Sequence, residues 1–232
     1  MPTSLYFVND AYRGLVFGRQ PYNVKYWAEF GVMKTPIGLK HDLHWGEVGH
    51  LQNILRKADI WDGFPAKGYT LVNAEFKAGD ENQRLDMLYI RDDGALLPCE
   101  LKVGGGDKDS HGQLIRYIAD LQFQATDLDW VKSERERFLA SINDELARRL
   151  HRSKFDSFIC ESRISNRSVR ILPRTGVIID EGFPPQCLKA VRYLNGYCGF
   201  AIRLIQIDAY TNDGWTADLQ DYMYRVDFTD VQ

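Results

Sequence analysis

Residues 84–117 read RLDMLYIRDDGALLPCELKVGGGDKDSHGQLIRY, and this stretch decides the fold. Its first half holds two apolar and aromatic runs, residues 85–90 and 95–103, separated by Arg91-Asp92-Asp93-Gly94. An Asp-Gly pair between two such runs is a strong signal for a β-hairpin. The stretch therefore predicts two antiparallel strands joined by a tight turn.

The few charged side chains of this hairpin are predicted to meet. A turn centred near Asp93 places Asp86 roughly opposite Glu100. Strand side chains alternate between the two faces, so Glu100 and Lys102 share a face and Leu101 points to the other. Two acids and a lysine are thus expected close together on one side of the sheet.

Acids within apolar strands indicate a particular chemistry. Burying a carboxylate is costly unless it is paired or binds a metal ion, and two facing carboxylates repel each other. Mg²⁺ prefers oxygen ligands and keeps several waters, so one or two carboxylates and a substrate phosphate suffice to hold it. A lysine beside such an ion can position water and balance phosphate charge. These residue types suit hydrolysis of a phosphodiester.

A helix is predicted directly after the hairpin. Gly104-Gly105-Gly106 allows a sharp reversal, and Asp109 or Ser110 can cap the helix. Apolar residues then recur at helical spacing from 111 to 123. Gln113 and Tyr117 are four apart, so they lie on one helix face that can project over the acids.

These motifs resemble those of the PD-(D/E)XK nuclease superfamily, most closely the RecB-like and NucS-type branch that has a Gln-x-x-x-Tyr helix. Asp86 matches the first acid, Glu100-Leu101-Lys102 matches the (D/E)-x-K, and Gln113 with Tyr117 matches the helical motif. The sequence departs from the family pattern at Leu85, where the family has proline. The resemblance covers about 35 residues and outside them only the order of elements.

The resemblance implies an α/β fold with a restriction-endonuclease-like core, a central mixed β-sheet flanked by helices. It implies Mg²⁺, with Mn²⁺ as a substitute, bound by Asp86, Glu100 and the main-chain carbonyl of Leu101. Lys102 would assist the attacking water, Gln113 would orient substrate or the lysine, and Tyr117 would support Gln113. Glu47, the acid in the body of a helix predicted at 42–58, is a further candidate ligand; an exposed helical glutamate is the alternative.

Other readings of the same residues stay open. Glu100 in a simple surface salt bridge would explain the acid and lysine without a metal ion. A catalytically inactive nucleic-acid-binding or assembly protein could keep the same fold, and the substrate could be RNA instead of DNA. His41, His44 and His50 have no spacing that favours a zinc site.

Composition is that of an ordinary globular chain. The 232 residues are 44% hydrophobic and 26% charged, with a net charge of −3, so no global basic signal for nucleic acid exists. A nuclease remains compatible because only one face must be basic. The four cysteines show neither metal spacing nor a disulfide framework, and no signal peptide or membrane span is evident. We expect a cytoplasmic protein without a nucleotide cofactor, because no phosphate-binding loop motif occurs.

Domain organisation is expected to be simple. Residues 1–40 are rich in aromatics and form an arm or extension, with a short strand at residues 15–17, and they either bind substrate or pack on the core. Residues 41–232 form the nuclease-like domain, and the two parts make one compact unit. A homodimer would supply two sites for cutting both strands of DNA.

The second half of the chain predicts further elements. Residues 125–151 predict one helical region starting at Asp127 or Ser133, with an apolar stripe and a basic later part. Residues 176–180, 185–194 and 200–207 predict a β-α-β unit, which needs parallel strands and a right-handed crossover, and residues 222–228 a closing strand. Asn195-Gly196 is expected to end the helix of this unit. The apolar stripe comprises Phe138, Leu139, Ile142, Leu146 and Leu150, and the candidate contacts to nucleic acid are Arg116, Arg148, Arg149, Arg163 and Arg167.

Overall fold

The structure is a computed structural model of the chain. It describes residues 3–8, 15–17, 52, 55, 56, 59, 68–77, 84–102, 108–122, 127–164, 169–172, 174–211 and 223–231. The strands are β1 Thr3–Val8, β2 Leu15–Phe17, β3 Tyr69–Lys77, β4 Arg84–Arg91, β5 Ala95–Leu101, β6 Arg170–Ile171, β7 Thr175–Asp180, β8 Ala201–Thr211 and β9 Met223–Val231. The helices are α1 Ser110–Gln122, α2 Leu128–Ala140, α3 Glu145–Glu161 and α4 Pro185–Tyr197.

One mixed sheet joins all the strands in the described part of the chain. Their order is β2-β1-β9-β8-β7-β5-β4-β3, with β6 paired to β5. The centre is parallel, because β5, β7 and β8 run in the same direction, whereas both flanks are antiparallel. The predicted α/β fold with a central mixed sheet and flanking helices is therefore confirmed.

The two faces of the sheet bury different side chains. Cys99 and Leu101 lie in one apolar cluster together with Leu55. Ile178 of β7 lies in another cluster, on the other face, with Val191 of α4 and residues of α1. This alternation confirms that Leu101 points away from the face occupied by α1 and α4.

The predicted hairpin is confirmed, and its turn has the expected tight geometry. The amide of Gly94 donates to the carbonyl oxygen of Arg91 at 2.9 Å. Gly94 has φ +85°, a left-handed conformation that glycine adopts without steric cost. The β-α-β unit is also confirmed, since β7 and β8 are parallel neighbours on either side of α4.

The helical region predicted for residues 125–151 is confirmed in its start at Asp127, but it consists of two helices instead of one. Asp127 caps α2 by accepting from the amide of Trp130 at 2.8 Å, and Asp144 starts a second helix, α3, by accepting from the amide of Ala147 at 2.7 Å. This break changes the helical phase. As a result, Leu146 is 62% exposed instead of continuing the apolar stripe, and Leu150 is exposed too.

One arginine of this region, Arg135, does not lie on the basic surface that the sequence suggests for its later part. Arg135 is buried, and it donates to the carbonyl oxygens of Leu71 at 2.6 Å and His151 at 2.5 Å. Its guanidinium also lies 3.6 Å from Asp59. Arg135 therefore ties α2 to β3 and α3.

The ends of the chain join the same sheet. β1 pairs with both β2 and β9 in antiparallel fashion, and β2 coincides with the short strand predicted at residues 15–17. The predicted closing strand corresponds to β9. Of the helix predicted at 42–58, Gln52, Leu55 and Arg56 are helical. Glu47, His41, His44 and His50 lie outside the described residues.

The helix of the β-α-β unit ends later than predicted. α4 continues through Gly196 to Tyr197, and the chain turns at Gly199, which has φ +70°. Asn195 does not end the helix. Its side chain bonds the amide and the carbonyl oxygen of Ile202, at 3.0 and 2.9 Å, and so fixes the start of β8.

Candidate functional site

The two predicted acids lie on neighbouring strands at one end of the sheet. Met87 of β4 pairs with Cys99 of β5, and continuing this antiparallel register by one residue places Asp86 opposite Glu100. Both carboxylates are buried. The register agrees with the prediction from the hairpin. Glu100 is near the carboxyl end of β5, the end at which open α/β sheets commonly bind ligands.

Each acid has a cationic or hydrogen-bonding neighbour. The ammonium Nζ of Lys102 lies 2.7 Å from Oε1 of Glu100. The amide of Leu101 donates to Oδ2 of Asp86 at 2.7 Å. Charge-assisted contacts of this length offset much of the cost of burying carboxylates. The side chain of Lys102 is 17% exposed, so this residue is more accessible to solvent than Glu100, whose side chain is 3% exposed.

Helix α1 brings Tyr117 to the same place. Its hydroxyl donates to the carbonyl oxygen of Arg84 at 2.7 Å, at the start of the strand that carries Asp86. Burial, with the nearby charges of Glu100 and Asp86, raises the pKa of Tyr117 to about 12. The phenol is therefore neutral at physiological pH and acts as a hydrogen-bond donor.

Gln113 lies one helical turn before Tyr117 and is half-buried. The main-chain N–H of Gln113 donates to the carbonyl oxygen of Asp109 at 3.0 Å, so Asp109 occupies the N-cap position of α1. Its side-chain oxygen Oε1 is buried and has no hydrogen-bond partner among the described residues. The structure thus keeps Gln113 and Tyr117 on one helix face, as predicted from their spacing.

A third acid, Asp180, was missed by the sequence analysis. Leu101 pairs with Ile179 in the parallel β5–β7 ladder, and the amide of Lys102 donates to the carbonyl oxygen of Ile179 at 2.8 Å. Continuing that register places Asp180 beside Lys102. Asp180 is fully buried, and its Oδ1 accepts from the amide of Glu181 at 2.7 Å. The available signal was an acid directly after the apolar run of a buried parallel strand.

Gln52 and Glu75 were also missed. The amide nitrogen Nε2 of Gln52 donates to Oε1 of Glu75 at 2.7 Å and to the carbonyl oxygen of Asp86 at 3.2 Å. Glu75 has φ +56°, in the left-handed region that is unfavourable for residues with a side chain. This strain lies in β3, the strand paired with the strand of Asp86. A single sequence carries no signal for a residue held in this conformation.

The donor set suits a hard cation. Asp86 and Glu100 supply carboxylate oxygens, and Mg²⁺ is commonly held by one or two carboxylates with waters in its remaining positions. Within the part of the chain that the structure describes, no group of three or more His, Cys, Asp and Glu side chains could by itself hold a metal ion. An ion here would therefore depend on water, on the Leu101 carbonyl, or on substrate oxygens. The described ranges do not include Glu47.

The predicted arginines are distributed over different elements. Arg116 of α1 lies 3.6 Å from Asp109, and Arg148 and Arg149 of α3 lie 3.0 and 2.8 Å from Glu145. The remaining two are Arg163, which is exposed after α3, and Arg167, which lies outside the described residues. Their role in binding nucleic acid stays a prediction.

The fold and site define a mixed-sheet α/β protein with an acidic site that contains a lysine. Comparison of the chain with protein-family models, with curated proteins and with solved structures finds no match. Among the described helices, none combines the length and the apolar character needed to cross a membrane.

Proposed function

We propose that this protein is a metal-dependent nuclease that hydrolyses DNA phosphodiester bonds, an endonuclease of the restriction, repair or mobile-element type. The observation that carries the proposal is the placement of Asp86, Glu100 and Lys102 on one face at the end of two paired strands. Lys102 lies 2.7 Å from Glu100, and both acids are buried. The resemblance of the motifs to PD-(D/E)XK nucleases is the second support.

Asp86, Glu100 and the Leu101 carbonyl would hold Mg²⁺ or Mn²⁺. When bound, the ion would polarise a phosphoryl oxygen and lower the pKa of a coordinated water. Lys102 would bind a phosphate oxygen or orient the water, because its ammonium lies beside Glu100 and its side chain is partly accessible to solvent. Tyr117, neutral with a pKa of about 12, would donate a hydrogen bond and would not accept the proton of the water.

The order of elements gives further support. A hairpin with the acids, a helix and a parallel β-α-β unit are typical of the restriction-endonuclease-like fold named above. This chain has them in that order, with α2, α3 and β6 between α1 and the β-α-β unit. Two helices, α1 and α4, pack on the face that bears the acids. Gln113 would then orient substrate or Lys102, and Tyr117 would support Gln113.

A second candidate function is supported by a specific observation. Lys102 neutralises Glu100, and the Leu101 amide stabilises Asp86, so both acids are accommodated without a metal ion. In a catalytically inactive protein of this fold that binds nucleic acid, the two acids would need no metal ion to remain buried. A third candidate, an RNA-directed nuclease, would use the same site with a different substrate.

The test is cleavage by the wild-type chain and by Lys102→Ala. Circular plasmid, linear duplex, single-stranded DNA and RNA are each incubated with Mg²⁺, Mn²⁺ or EDTA. We expect metal-dependent cutting of DNA by the wild type and a loss of about 100-fold or more in Lys102→Ala. Lys132→Ala, which removes an exposed lysine of α2, is the matched control and should cut as the wild type does.

Folding of the variants is checked by circular dichroism and thermal unfolding. Lys102→Arg keeps a cation beside Glu100 and replaces Lys102→Ala if the alanine variant does not fold. A folded Lys102→Ala protein with wild-type cleavage would refute the proposed role of the lysine. Nucleic-acid binding by the wild type without cleavage or Mn²⁺ affinity would favour the inactive binding protein, and cutting of RNA alone would favour the RNA-directed nuclease.

A further inference from the structure

A buried glutamine connects the strand of Asp86 to the neighbouring strand β3. The side chain of Gln52 is buried, and its Nε2 donates to the carbonyl oxygen of Asp86 at 3.2 Å and to Oε1 of Glu75 at 2.7 Å. Its Oε1 accepts from Nη2 of Arg56 at 2.6 Å. A reversed amide would turn its oxygen towards two other oxygens and its donors towards the guanidinium, so only one orientation of Gln52 satisfies all three contacts.

Glu75 makes its contact with Gln52 at a conformational cost. Its φ of +56° lies in the left-handed region, which a residue with a Cβ atom adopts unfavourably. By the register of the β3–β4 ladder, Glu75 falls opposite Asp86. Its carboxylate accepts from Gln52 and lies 3.8 Å from Nη1 of Arg84. Backbone strain persists where the surrounding contacts fix it, and here those contacts lie along the strand that carries Asp86.

The carboxylate of Asp86 is held by a different strand from its main chain. The paired residues of the β4–β5 ladder end at Met87 and Cys99. Beyond them, Oδ2 of Asp86 accepts from the main-chain N–H of Leu101 at 2.7 Å. A shift of the main chain at Asp86 would move the carboxylate away from this donor, and groups that bind a ligand must keep their places to within roughly 0.5 Å.

We infer that Gln52 is a positioning residue of the acidic site, which anchors the main chain of Asp86 so that the carboxylate keeps its place beside the Leu101 amide. The anchoring depends only on contacts within the chain, whereas its consequence for the binding of Mg²⁺ or Mn²⁺ rests on the proposed nuclease function. Hydrogen bonds that hold a metal-binding side chain in place commonly contribute about 10- to 100-fold to metal affinity.

The first measurement is hydrogen exchange of main-chain amides, followed by NMR on the metal-free protein in EDTA. Gln52→Met keeps a side chain of similar length but has no donor. We expect the Leu101 amide to exchange about 10-fold faster or more in this variant, because its acceptor, the Asp86 carboxylate, loses its position. The amide of Lys102 is the internal reference. It donates to the carbonyl oxygen of Ile179 at 2.8 Å and should exchange as in the wild type.

The contact with Asp86 can be separated from the contact with Glu75 by exchanging the two side chains. In Gln52→Glu/Glu75→Gln the amide and the carboxylate change places and the total charge stays the same. The amide at position 75 can then donate to the carboxylate at position 52, but that carboxylate cannot donate to the Asp86 carbonyl oxygen. We expect the Leu101 amide to exchange as fast as in Gln52→Met. This double variant also carries the test if Gln52→Met does not fold.

The second measurement is the affinity for Mn²⁺, obtained by isothermal titration calorimetry. We expect Gln52→Met to bind Mn²⁺ about 10-fold more weakly than the wild type. Gln122→Met, which changes the exposed glutamine at the end of α1, is the matched control and should leave both Leu101 exchange and Mn²⁺ affinity unchanged. Unchanged affinity in Gln52→Met, beside a wild type that binds Mn²⁺, would overturn the consequence for the ion.

Three results of the exchange measurement would overturn the anchoring itself. Unchanged exchange of the Leu101 amide in Gln52→Met would show that Asp86 keeps its place without Gln52. Equal acceleration of the Leu101 and Lys102 amides would show a general loosening of β5. Wild-type exchange of the Leu101 amide in the double variant would show that the contact with Glu75, and not the contact with Asp86, is what matters.

The two measurements separate the inference from the proposed function. Selective acceleration at Leu101, in a protein whose wild type neither binds Mn²⁺ nor cuts nucleic acid, would support the anchoring and refute the nuclease. Mn²⁺-dependent cleavage by the wild type, together with unchanged Leu101 exchange in Gln52→Met, would support the nuclease and refute the anchoring.

Discussion

At the scale of single residues, the site consists of two buried carboxylates, and each contacts a residue of the same hairpin. The carboxylate of Asp86 accepts from the Leu101 amide, and Glu100 contacts Lys102, two residues along the same strand. Such contacts follow from the two-residue period of a strand once the hairpin register is known. The proximity of Glu100 and Lys102 was predicted from this period. The contact between the Leu101 amide and Asp86 was not predicted, nor was the position of Asp180, on the neighbouring strand β7 that is far away in the sequence.

Tyr117 allows a test of this local arrangement. Tyr117→Phe removes the hydroxyl that donates to the Arg84 carbonyl oxygen at 2.7 Å and leaves that carbonyl without this donor. We expect the free energy of unfolding at neutral pH to fall by about 1 kcal/mol. Urea unfolding of the wild type and the variant measures the difference.

The same pair of proteins shows a pH dependence whose sign follows from the pKa. The pKa of Tyr117 is raised from 10.0 to about 12, so the folded state favours the neutral phenol. Its contribution is complete below pH 10.0, the unfolded value, and is lost as the pH rises towards about 12. The difference in stability between wild type and Tyr117→Phe should therefore shrink over that interval. A difference that stays constant would contradict the buried position of the hydroxyl.

At the scale of elements, sequence periodicity predicted most of the sheet but not the division of the helices. The hairpin, α1 and the β-α-β unit each carry a local signal. These signals are an Asp-Gly turn, a glycine run before the helix, and two apolar strand-like runs on either side of a helical pattern. The break between α2 and α3 depends on Asp144, which accepts from the Ala147 amide and so starts a new helix. An aspartate within a helical pattern reads equally well as a solvated side chain, so the apolar stripe was carried too far, to Leu146 and Leu150.

The close packing of α1 against β7 at Gly176 can be tested by substitution. A Cβ atom on Gly176 would lie 2.8 Å from Cδ2 of Leu114 and within 3.1 Å of two further atoms of that side chain, so Gly176→Ala requires Leu114, or α1 with it, to shift. We expect a loss of about 1–3 kcal/mol in the free energy of unfolding, measured by urea denaturation. Because α1 also carries Tyr117, the proposed metal-dependent cleavage, if measured, should fall as well.

Gly196→Ala is the matched control for this substitution. A Cβ atom there meets nothing within 4 Å, and alanine favours a helix interior over glycine by about 0.5–1 kcal/mol. The control should therefore be at least as stable as the wild type. Equal stability of Gly176→Ala and the wild type would show that Leu114 can move without displacing α1.

At the scale of the whole molecule, a buried charged cluster connects three parts of the chain around β3. Asp59 accepts from the hydroxyl of Thr70 at 3.1 Å and from the amide of Leu71 at 2.6 Å. Arg135 of α2 and His151 of α3 lie 3.6 and 3.4 Å from the same carboxylate. No local sequence pattern indicates such a cluster, because its members are tens of residues apart and each resembles a surface residue when read alone.

The cluster predicts how the stability of the whole protein depends on acid. Burial lowers the pKa of His151 below its usual value of 6.5, and the nearby Asp59 carboxylate only partly opposes this effect. Burial alone would raise the pKa of Asp59, but His151 and the charge of Arg135 lower it below 3.8. Both groups have depressed values in the folded state, so each contributes stability that is present at higher pH and is lost as the pH falls.

The loss of stability due to His151 should begin near pH 6.5, because the unfolded chain then gains a proton that the buried imidazole does not accept. The loss of stability due to Asp59 should follow below pH 3.8. Urea unfolding from about pH 8 down to about pH 5 isolates the first of these. His151→Gln removes the titrating ring and should flatten the decline in that interval, whatever its effect on stability at neutral pH. His111→Gln, which changes the other histidine that the structure describes, serves as the control. An equally steep decline in His151→Gln and the wild type would contradict the prediction. It would mean that groups other than His151 make the free energy of unfolding depend on acid.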